Sequence, residues 1–494
     1  MLALPTLLLA LDFSVLYLAL PSISADLGAS GVQQLWITDV YGFMVAGFLI
    51  TMGTLGDRIG RRRLLLVGAA LFGVASAIAA FSVNAEMLIV TRALMGIAGA
   101  TLMPSTLALI STMFRDPGQR STAISVWVSC FMGGTAIGPV IGGVLLERFW
   151  WGSVFLIGVP VMAVLLVAAP FLLPTHRDPG AGRLDLTSVA LSLGAILPVV
   201  YGVKELASGG VRPVPVVALA AGVILGLVFV NRQRRLAHPL LDLRLFGSRS
   251  FGAGVAGMTL NSALMGGISL LIALYLQTVA GLSPLGAGLW LAPASLVIII
   301  SAMATPVLAR RVRPAYVIVA GLGVAVIGYL LLTQAAAVGG LPVVVAGNIL
   351  VGLGAGPITA LATDLVVGSV RPEQAGSAAA ISETGADLGI ALGIAVLGSL
   401  TTAVYRSAFG DVTVAGVPDR LLEAAGENVE AAATVAGQLP AAPGTALLAA
   451  ARDAFTTGLN LTAAVSGVVV IGIAVLALTA LRHIPPTGHA ANEK

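Results

Sequence analysis

Long uncharged apolar runs are the feature that most constrains how this chain can fold. Runs such as 64–85, 121–146 and 454–481 contain no Asp, Glu, Lys or Arg. A helix needs about 20 apolar residues to cross a hydrocarbon core of about 30 Å. Two longer runs, 250–309 and 314–363, can each hold two such helices. The sequence therefore predicts an α-helical protein that crosses a lipid bilayer many times.

The composition excludes the main alternatives. Hydrophobic residues make up 58% of the 494 residues and charged residues only 10%, whereas an average soluble domain carries about 25% charge. A soluble protein this apolar would need a core larger than its surface allows. The net charge of +4 is not clustered on a soluble face, so no nucleic-acid partner is expected.

The apolar pattern divides into fourteen predicted spans. They are 2–21, 36–55, 64–82, 87–110, 121–146, 153–173, 187–205, 214–232, 251–277, 285–308, 315–335, 342–369, 377–404 and 454–481. An even number of spans puts both termini on one side, and most of the 26 basic residues then lie in loops on that side. Because basic loops stay in the cytoplasm, we expect a multi-pass protein of the cell (inner or plasma) membrane with both termini cytoplasmic.

A basic, glycine-rich loop joins the second and third spans. Its marked positions are Gly53, Asp57, Arg58, Gly60 and Arg61. Glycines let two helix ends approach closely, and an aspartate can pair with a neighbouring arginine or cap a helix N-terminus. Taken alone, these residues fit equally well a loop that only sets the topology.

Arg92 stands inside the fourth span. A cation at the bilayer centre costs about 2.5–3.5 kcal/mol on insertion scales. The side chain must therefore face the bundle interior and find an acidic partner. From the residues alone, that pair can be structural or functional.

The fifth span carries closely spaced glycines and a proline: Gly134, Gly138, Pro139, Gly142 and Gly143. Glycines four residues apart lie on one helix face and allow another helix to pack closely. Generic packing is therefore one interpretation of this pattern.

Several acidic residues lie within predicted spans, among them Asp12, Asp39, Asp364, Glu383 and Asp387. Intramembrane acids are candidates for functional sites, and the last two are four residues apart on one helix face. A buried carboxyl group that can bind either a proton or a cation provides the simplest chemistry for an antiporter. Hydrogen-bonded helix packing is the alternative, and Asp364, near the inner end of its span, is expected to be a solvated interfacial acid.

Together these motifs resemble the major facilitator superfamily, in particular its fourteen-helix drug:proton antiporter branch of the QacA and LfrA type. The stretches that carry the likeness are 36–41, 53–63, 88–100, 134–143, 151–160, 239–246, 281–289 and 382–389. The resemblance implies a conformational latch at the 53–63 loop, a proton-transfer role for Arg92, and an exporter motif in 134–143. The chain departs from the QacA-like pattern in one respect, because span ten, 285–308, has no acidic residue. Divalent cations are therefore less expected as substrates than monovalent ones.

The resemblance also implies the architecture, an all-α integral membrane protein with the major facilitator fold: two six-helix bundles plus two inserted linker helices. We place an N-terminal six-helix half at 1–173 and a linker with the two extra helices at 174–250. The C-terminal six-helix half then occupies 251–494 and includes a long external loop at 405–453. That loop is acidic, and it can be a solvated linker, a lid or a cation-attracting vestibule.

The function that this resemblance implies is proton-coupled efflux of lipophilic cations, such as quaternary ammonium compounds and ethidium-like dyes. Its partners are small-molecule drugs, protons and the lipid bilayer. Proton coupling is assigned to Asp12, Arg92, Glu383 and Asp387, and substrate binding to Asp12, Asp39, Tyr41, Glu383 and Asp387. A dedicated antibiotic or metabolite exporter of narrow specificity is the alternative. No nucleophile triad, metal-ligand cluster or phosphate loop is evident, so we expect neither an enzyme, nor a cofactor, nor a metal site.

Overall fold

The computed structural model describes residues 1–29, 31–174, 185–209, 212–236, 239–371, 374–410 and 412–487. The helices are α1 (Leu4–Leu27), α2 (Gly31–Ile59), α3 (Arg61–Ala80), α4 (Ala85–Met113), α5 (Pro117–Arg148), α6 (Ser153–Leu156), α7 (Gly158–Leu172), α8 (Leu186–Gly209), α9 (Pro213–Arg235), α10 (Arg249–Leu274), α11 (Pro284–Arg311), α12 (Pro314–Leu332), α13 (Leu341–Gly368), α14 (Ala375–Phe409), α15 (Asp419–Ala425), α16 (Val429–Ala436) and α17 (Ala441–Leu481). A short 3₁₀ helix, Leu243–Gly247, precedes α10, and a π-helical turn, Tyr275–Val279, follows it.

Thirteen helical segments within the described residues are long and apolar enough to cross a membrane. The short α6 and the following α7 together form one of them, Ser153–Leu172. The predicted first span falls on α1, whose apolar part is Leu4–Leu16. Each of the fourteen predicted spans therefore coincides with a helix.

The ends of the spans follow local sequence signals. Asn84 caps α4 by accepting a hydrogen bond from the Met87 amide at 2.8 Å, and Asp116 caps α5 in the same way from the Gln119 amide at 2.8 Å. Side-chain caps of this kind satisfy amides that would otherwise lack a partner at the start of a helix. Only Gly60 separates α2 from α3, and its φ of 102° is one that L side chains rarely adopt. The tight turn predicted at this loop is thus present and needs its glycine.

Two large apolar clusters form the core. The first is built mainly from α1–α7 and the second from α10–α17. A few residues of the later helices join the first cluster, namely Ala302, Ala360, Val367, Ala375 and Ala379. Four of these five are alanines, so helices of the two bundles can approach closely there.

The pair α8–α9 packs beside both bundles. Val200 of α8 forms a small apolar cluster with Phe43 and Ala46 of α2, and α8 also contacts α14. Asp185, just before α8, accepts hydrogen bonds from Arg232 of α9, the shorter at 2.8 Å. The predicted domain boundaries at 173/174 and 250/251 remain predictions, and most of the linker before Asp185 lies outside the described residues.

The long loop is shorter and more ordered than the stretch predicted at 405–453. The helix α14 continues to Phe409, and α17 begins at Ala441. The short helices α15 and α16 lie between them, and Val429 and Ala432 are buried in the second apolar cluster. The Tyr405 hydroxyl donates to the Ala425 carbonyl at 2.7 Å. This segment is therefore packed onto the second bundle, which a freely solvated linker would not be.

Candidate functional site

The centre of the site is an ion pair between α4 and α1. The Arg92 Nη1 atom lies 2.6 Å from Oδ2 of Asp12, and the side chains are only 1% and 8% exposed. Arg92 Nε also donates to the Ile37 carbonyl of α2 at 3.4 Å. A lone buried charge would be costly, and breaking a buried pair typically costs about 3–5 kcal/mol. The partner that Arg92 required is thus Asp12, 80 residues away in the sequence.

Tyr41 completes this group. The Arg92 guanidinium carbon lies 4.5 Å from the centroid of the Tyr41 ring, which is a cation–π geometry. Phe13 meets the same tyrosine edge to face, with a centroid distance of 5.8 Å. One face of the Tyr41 ring is therefore already occupied by an arginine, and only 2% of the residue is exposed.

The other two acids come from α14. Gly376 and Ala380 of this helix meet Gly53 of α2, where an added Cβ would lie 2.6 Å from the Gly376 carbonyl oxygen. Glu383 and Asp387 continue this helix face by one and two further turns. The two acids are consequently on the side of α14 that turns towards the first bundle. The Tyr41 hydroxyl interacts electrostatically with Asp387 as well as with Asp12.

Glu383 and Asp387 differ in their surroundings. Glu383 is 6% exposed, and its Oε1 atom has no hydrogen-bond partner among the described residues. Asp387 is half-buried. The neighbouring Ser382 donates to the sulfur of Met258 on α10 at 2.9 Å. Glu383 is therefore almost fully buried, whereas Asp387 is more accessible.

Asp39 lies on α2, half-buried, between Ile37 and Tyr41, which both contact Arg92. Asp39 is therefore on the segment of α2 that contacts Arg92. The aromatic residues Trp36 and Tyr275 take up packing positions: Trp36 stacks edge to face with Phe43, and the Tyr275 hydroxyl donates to a carbonyl in the second bundle.

The glycine motif of α5 packs this helix against α1. A Cβ added at Gly134 would collide with the backbone of Leu7, and one added at Gly138 would collide with Ser14. At Gly142 it would lie 2.8 Å from a methyl carbon of Val15, whereas at Gly143 it would meet nothing within 4 Å. Three of the four glycines thus permit a close contact with the part of α1 that flanks Asp12. The Pro139 side chain lies outside the described residues.

The basic loop makes contacts between the two bundles. Asp57 accepts hydrogen bonds from the Arg61 Nε at 3.1 Å, the Gly376 amide at 3.2 Å, and the amide and hydroxyl of Ser377, both at 3.0 Å. Both chemical roles expected for this aspartate, pairing with an arginine and capping a helix, are therefore present. The capped helix is α14, which carries Glu383 and Asp387.

Two arginines of the basic loop make further interactions. Arg61 also donates to the Ala108 carbonyl at 3.2 Å and to the Thr112 hydroxyl at 2.6 Å, both on α4. Arg58 is half-buried and interacts electrostatically with Asp57 and Asp185. The loop thus contacts the first bundle and α14, and it interacts electrostatically with Asp185, just before α8.

A second contact between the bundles was not anticipated from the sequence. Arg120 Nε of α5 lies 2.7 Å from Oδ1 of Asp364 on α13, and the Asp364 side chain is 4% exposed. The expectation of a solvated interfacial acid at Asp364 is therefore wrong. The two residues are 244 positions apart, so only the juxtaposition of the bundles reveals the pair. Together with the Asp57 contacts, this pair joins the bundles at the end of the molecule where the 53–63 loop lies, which we call the signature-loop end.

These features are those of a multi-pass membrane protein, and the comparisons with known proteins indicate a transporter. Residues 2–418 match the family model described as Major Facilitator Superfamily, so the chain belongs to that superfamily. The human organic anion transporter MFSD10 has a similar fold, with a TM-score of 0.57 at 18% identity, covering 95% of this chain and 98% of that one. The two-bundle architecture with two inserted helices is the one expected.

Among relatives, the multidrug efflux pump LfrA of Mycolicibacterium smegmatis is 43% identical over 97% of this chain and 95% of its own length. The methyl viologen resistance protein SmvA of Salmonella typhimurium is 36% identical, covering 90% of each chain. Other relatives have names of antibiotic resistance or export proteins. The chain is thus similar to efflux transporters over nearly its whole length.

Proposed function

We propose that this protein exports lipophilic cations in exchange for protons across the cell membrane, with both termini in the cytoplasm. The observation that carries the proposal is that acids of both bundles, Asp12 and Asp387, interact electrostatically with Tyr41, whose ring lies against Arg92. Asp12 is paired with Arg92 in the first bundle, and Glu383 lies one turn before Asp387 on α14. Acids within an apolar interior attract delocalised cations without requiring a fixed hydrogen-bond pattern, which suits a broad substrate range.

The surroundings of the acids suggest different roles for them. The charge on Asp12 is already matched by Arg92. Glu383 has a buried oxygen without a described partner, and burying an unpaired charge is costly. We therefore assign the proton to Glu383 in this conformation and contact with the cation to the more accessible Asp387. Asp39 and Tyr41 are assigned to the same binding region.

The signature-loop end then corresponds to the cytoplasmic gate. The Asp57 contacts and the Arg120–Asp364 pair lie at that end, so the arrangement fits an outward-facing state. Exchange would require the two halves to rock so that these contacts open. Proton and cation would compete for the carboxylates each time the site changes sides.

The test is ethidium transport driven by a proton gradient in inverted membrane vesicles. Glu383→Gln, Asp387→Asn and Asp12→Asn should each reduce transport and the associated collapse of the pH gradient by at least about tenfold at normal expression. The matched control is Glu147→Gln, which makes the same change at an exposed acid at the end of α5. Normal proton-coupled transport in all three site variants would refute the proposal.

A dedicated antibiotic or metabolite exporter is the second candidate. The names of several relatives as antibiotic export or resistance proteins favour it. It becomes the leading interpretation if the folded parent protein moves no cationic dye in the vesicle assay. The similarity to SmvA makes methyl viologen a useful additional substrate in that assay. Methyl viologen is a dication, so its transport would test whether a protein without an acid in span ten can export divalent cations.

A further inference from the structure

A partly open cavity of about 200 Å³ lies where the inserted helices α8 and α9 meet both bundles, and Val223 in its lining is exposed. Its lining comes from four helices: Ala46 of α2, Val199 and neighbours of α8, Gly226 and neighbours of α9, and Thr384 and Leu388 of α14. Apart from Thr384, the lining residues are alanine, valine, isoleucine, leucine and glycine. An apolar cavity of about 150 Å³ in another protein is large enough to bind benzene. The space can therefore accept a ring or part of an alkyl chain.

The position of the cavity relative to the acids is set by one helix. Thr384 directly follows Glu383, and Leu388 directly follows Asp387. Successive residues on a helix point about 100° apart, so the apolar wall and the acidic face are adjacent sides of α14. The Thr384 hydroxyl oxygen is buried and has no described hydrogen-bond partner. A ligand that combines a positive charge with an apolar body matches this pair of surfaces.

We propose that this cavity, which we call the side pocket, binds the apolar body of the transported cation while its charged head lies at Asp387. The inference rests on the proposed function and adds a role for the inserted helices. They form part of the substrate site and select substrates by the size of their apolar portion. A twelve-helix relative without α8 and α9 would lack two of the four walls.

The chain offers a substitution that fills the side pocket without a clash at Cβ. A Cβ added at Gly226 would lie 3.7 Å from the Ala195 Cβ, which is ordinary van der Waals contact. Gly226→Leu therefore adds volume to the pocket at little packing cost. The matched control is Ala220→Leu on the same helix, because Ala220 is exposed on the outside of the protein.

The experiment measures proton-coupled transport of alkyltrimethylammonium ions with chains of four, eight and twelve carbons in proteoliposomes. Each buried methylene contributes up to about a fourfold gain in affinity. In the parent and in Ala220→Leu, the half-saturating concentration should fall as the chain lengthens. In Gly226→Leu it should rise at least about tenfold for the twelve-carbon ion and less than about twofold for the four-carbon ion. An equal loss for all three chain lengths, or no change for any, would overturn the side-pocket proposal.

A second measurement needs no substitution. A dodecyltrimethylammonium analogue with a diazirine in its tail should crosslink to the side-pocket segments of α8 and α9, and unlabelled dodecyltrimethylammonium should compete. Crosslinking elsewhere, or equal competition by neutral dodecyl maltoside, would overturn the assignment to a cation. If the parent transports none of the cations, the proposed function itself fails. If it transports them and Gly226→Leu leaves the half-saturating concentrations unchanged, only this inference fails.

Discussion

Removal of the Asp57 carboxylate should open the signature-loop end. Three of the hydrogen bonds that Asp57 accepts come from α14, in the other bundle, and the fourth comes from Arg61 in its own bundle. Only the three bonds that cross between bundles bear directly on the balance between closed and open states. The variants Ser377→Ala and Asp57→Ala remove one and all of them, respectively.

The size of the effect follows from these contacts. A hydrogen bond to a charged group contributes about 1.5–3 kcal/mol, and about 1.4 kcal/mol is a tenfold change in an equilibrium constant. Ser377→Ala should therefore raise the ratio of open to closed states by about tenfold. Asp57→Ala also removes a helix cap worth about 0.5–2 kcal/mol, so the ratio should rise by about a hundredfold or more.

The assay uses a cysteine in the contact between the bundles. Ala379 is fully buried and belongs to the first apolar cluster although it lies on α14, so Ala379→Cys reports opening in a Cys130→Ser background. The rate of labelling by a membrane-impermeant maleimide should increase in the order parent, Ser377→Ala, Asp57→Ala. Asn84→Ala removes a helix cap within one bundle and should leave the rate unchanged. If Asp57→Ala labels no faster than the parent, the latch reasoning is wrong.

Three further predictions concern packing and charge. Gly134→Ala should lower the free energy of unfolding by about 1–3 kcal/mol because the added Cβ would meet the α1 backbone. Gly143→Ala, which faces open space, should be neutral. Equal unfolding temperatures for the two variants would contradict this prediction. Asp12→Asn should lower the free energy of unfolding by about 3–5 kcal/mol because it leaves Arg92 unpaired. Adding Arg92→Gln should restore stability but not transport. Recovered transport in the double variant would indicate that the pair is purely structural. Asp364→Asn should speed labelling in the Ala379→Cys assay, and an unchanged rate would exclude it from the gate.

Local sequence features were sufficient for the helices, the tight turn and the acids. Uninterrupted apolar runs locate the spans because each span must satisfy its own backbone hydrogen bonds in lipid. The turn at Gly60 follows from glycines between two apolar runs, and the resemblance in the 53–63 loop points to the superfamily. The start of the last span differs most from the prediction. This span was predicted to start at 454, but α17 begins at Ala441 because packing against the second bundle extends a helix through residues whose hydropathy does not require it.

The tertiary structure alone decided which side chains meet. The position of Arg92 within a span requires an acidic partner, but the sequence does not indicate which of the membrane acids it is. Hydropathy carries no information about contacts between segments that are distant in the chain. For the same reason, the sequence indicates that Asp57 can cap a helix but not that the capped helix is α14. It also does not indicate that Asp364 is buried against Arg120. The side pocket depends on four helices at once. Its walls come together only because the two inserted helices, each predictable from its own apolar run, pack against both bundles.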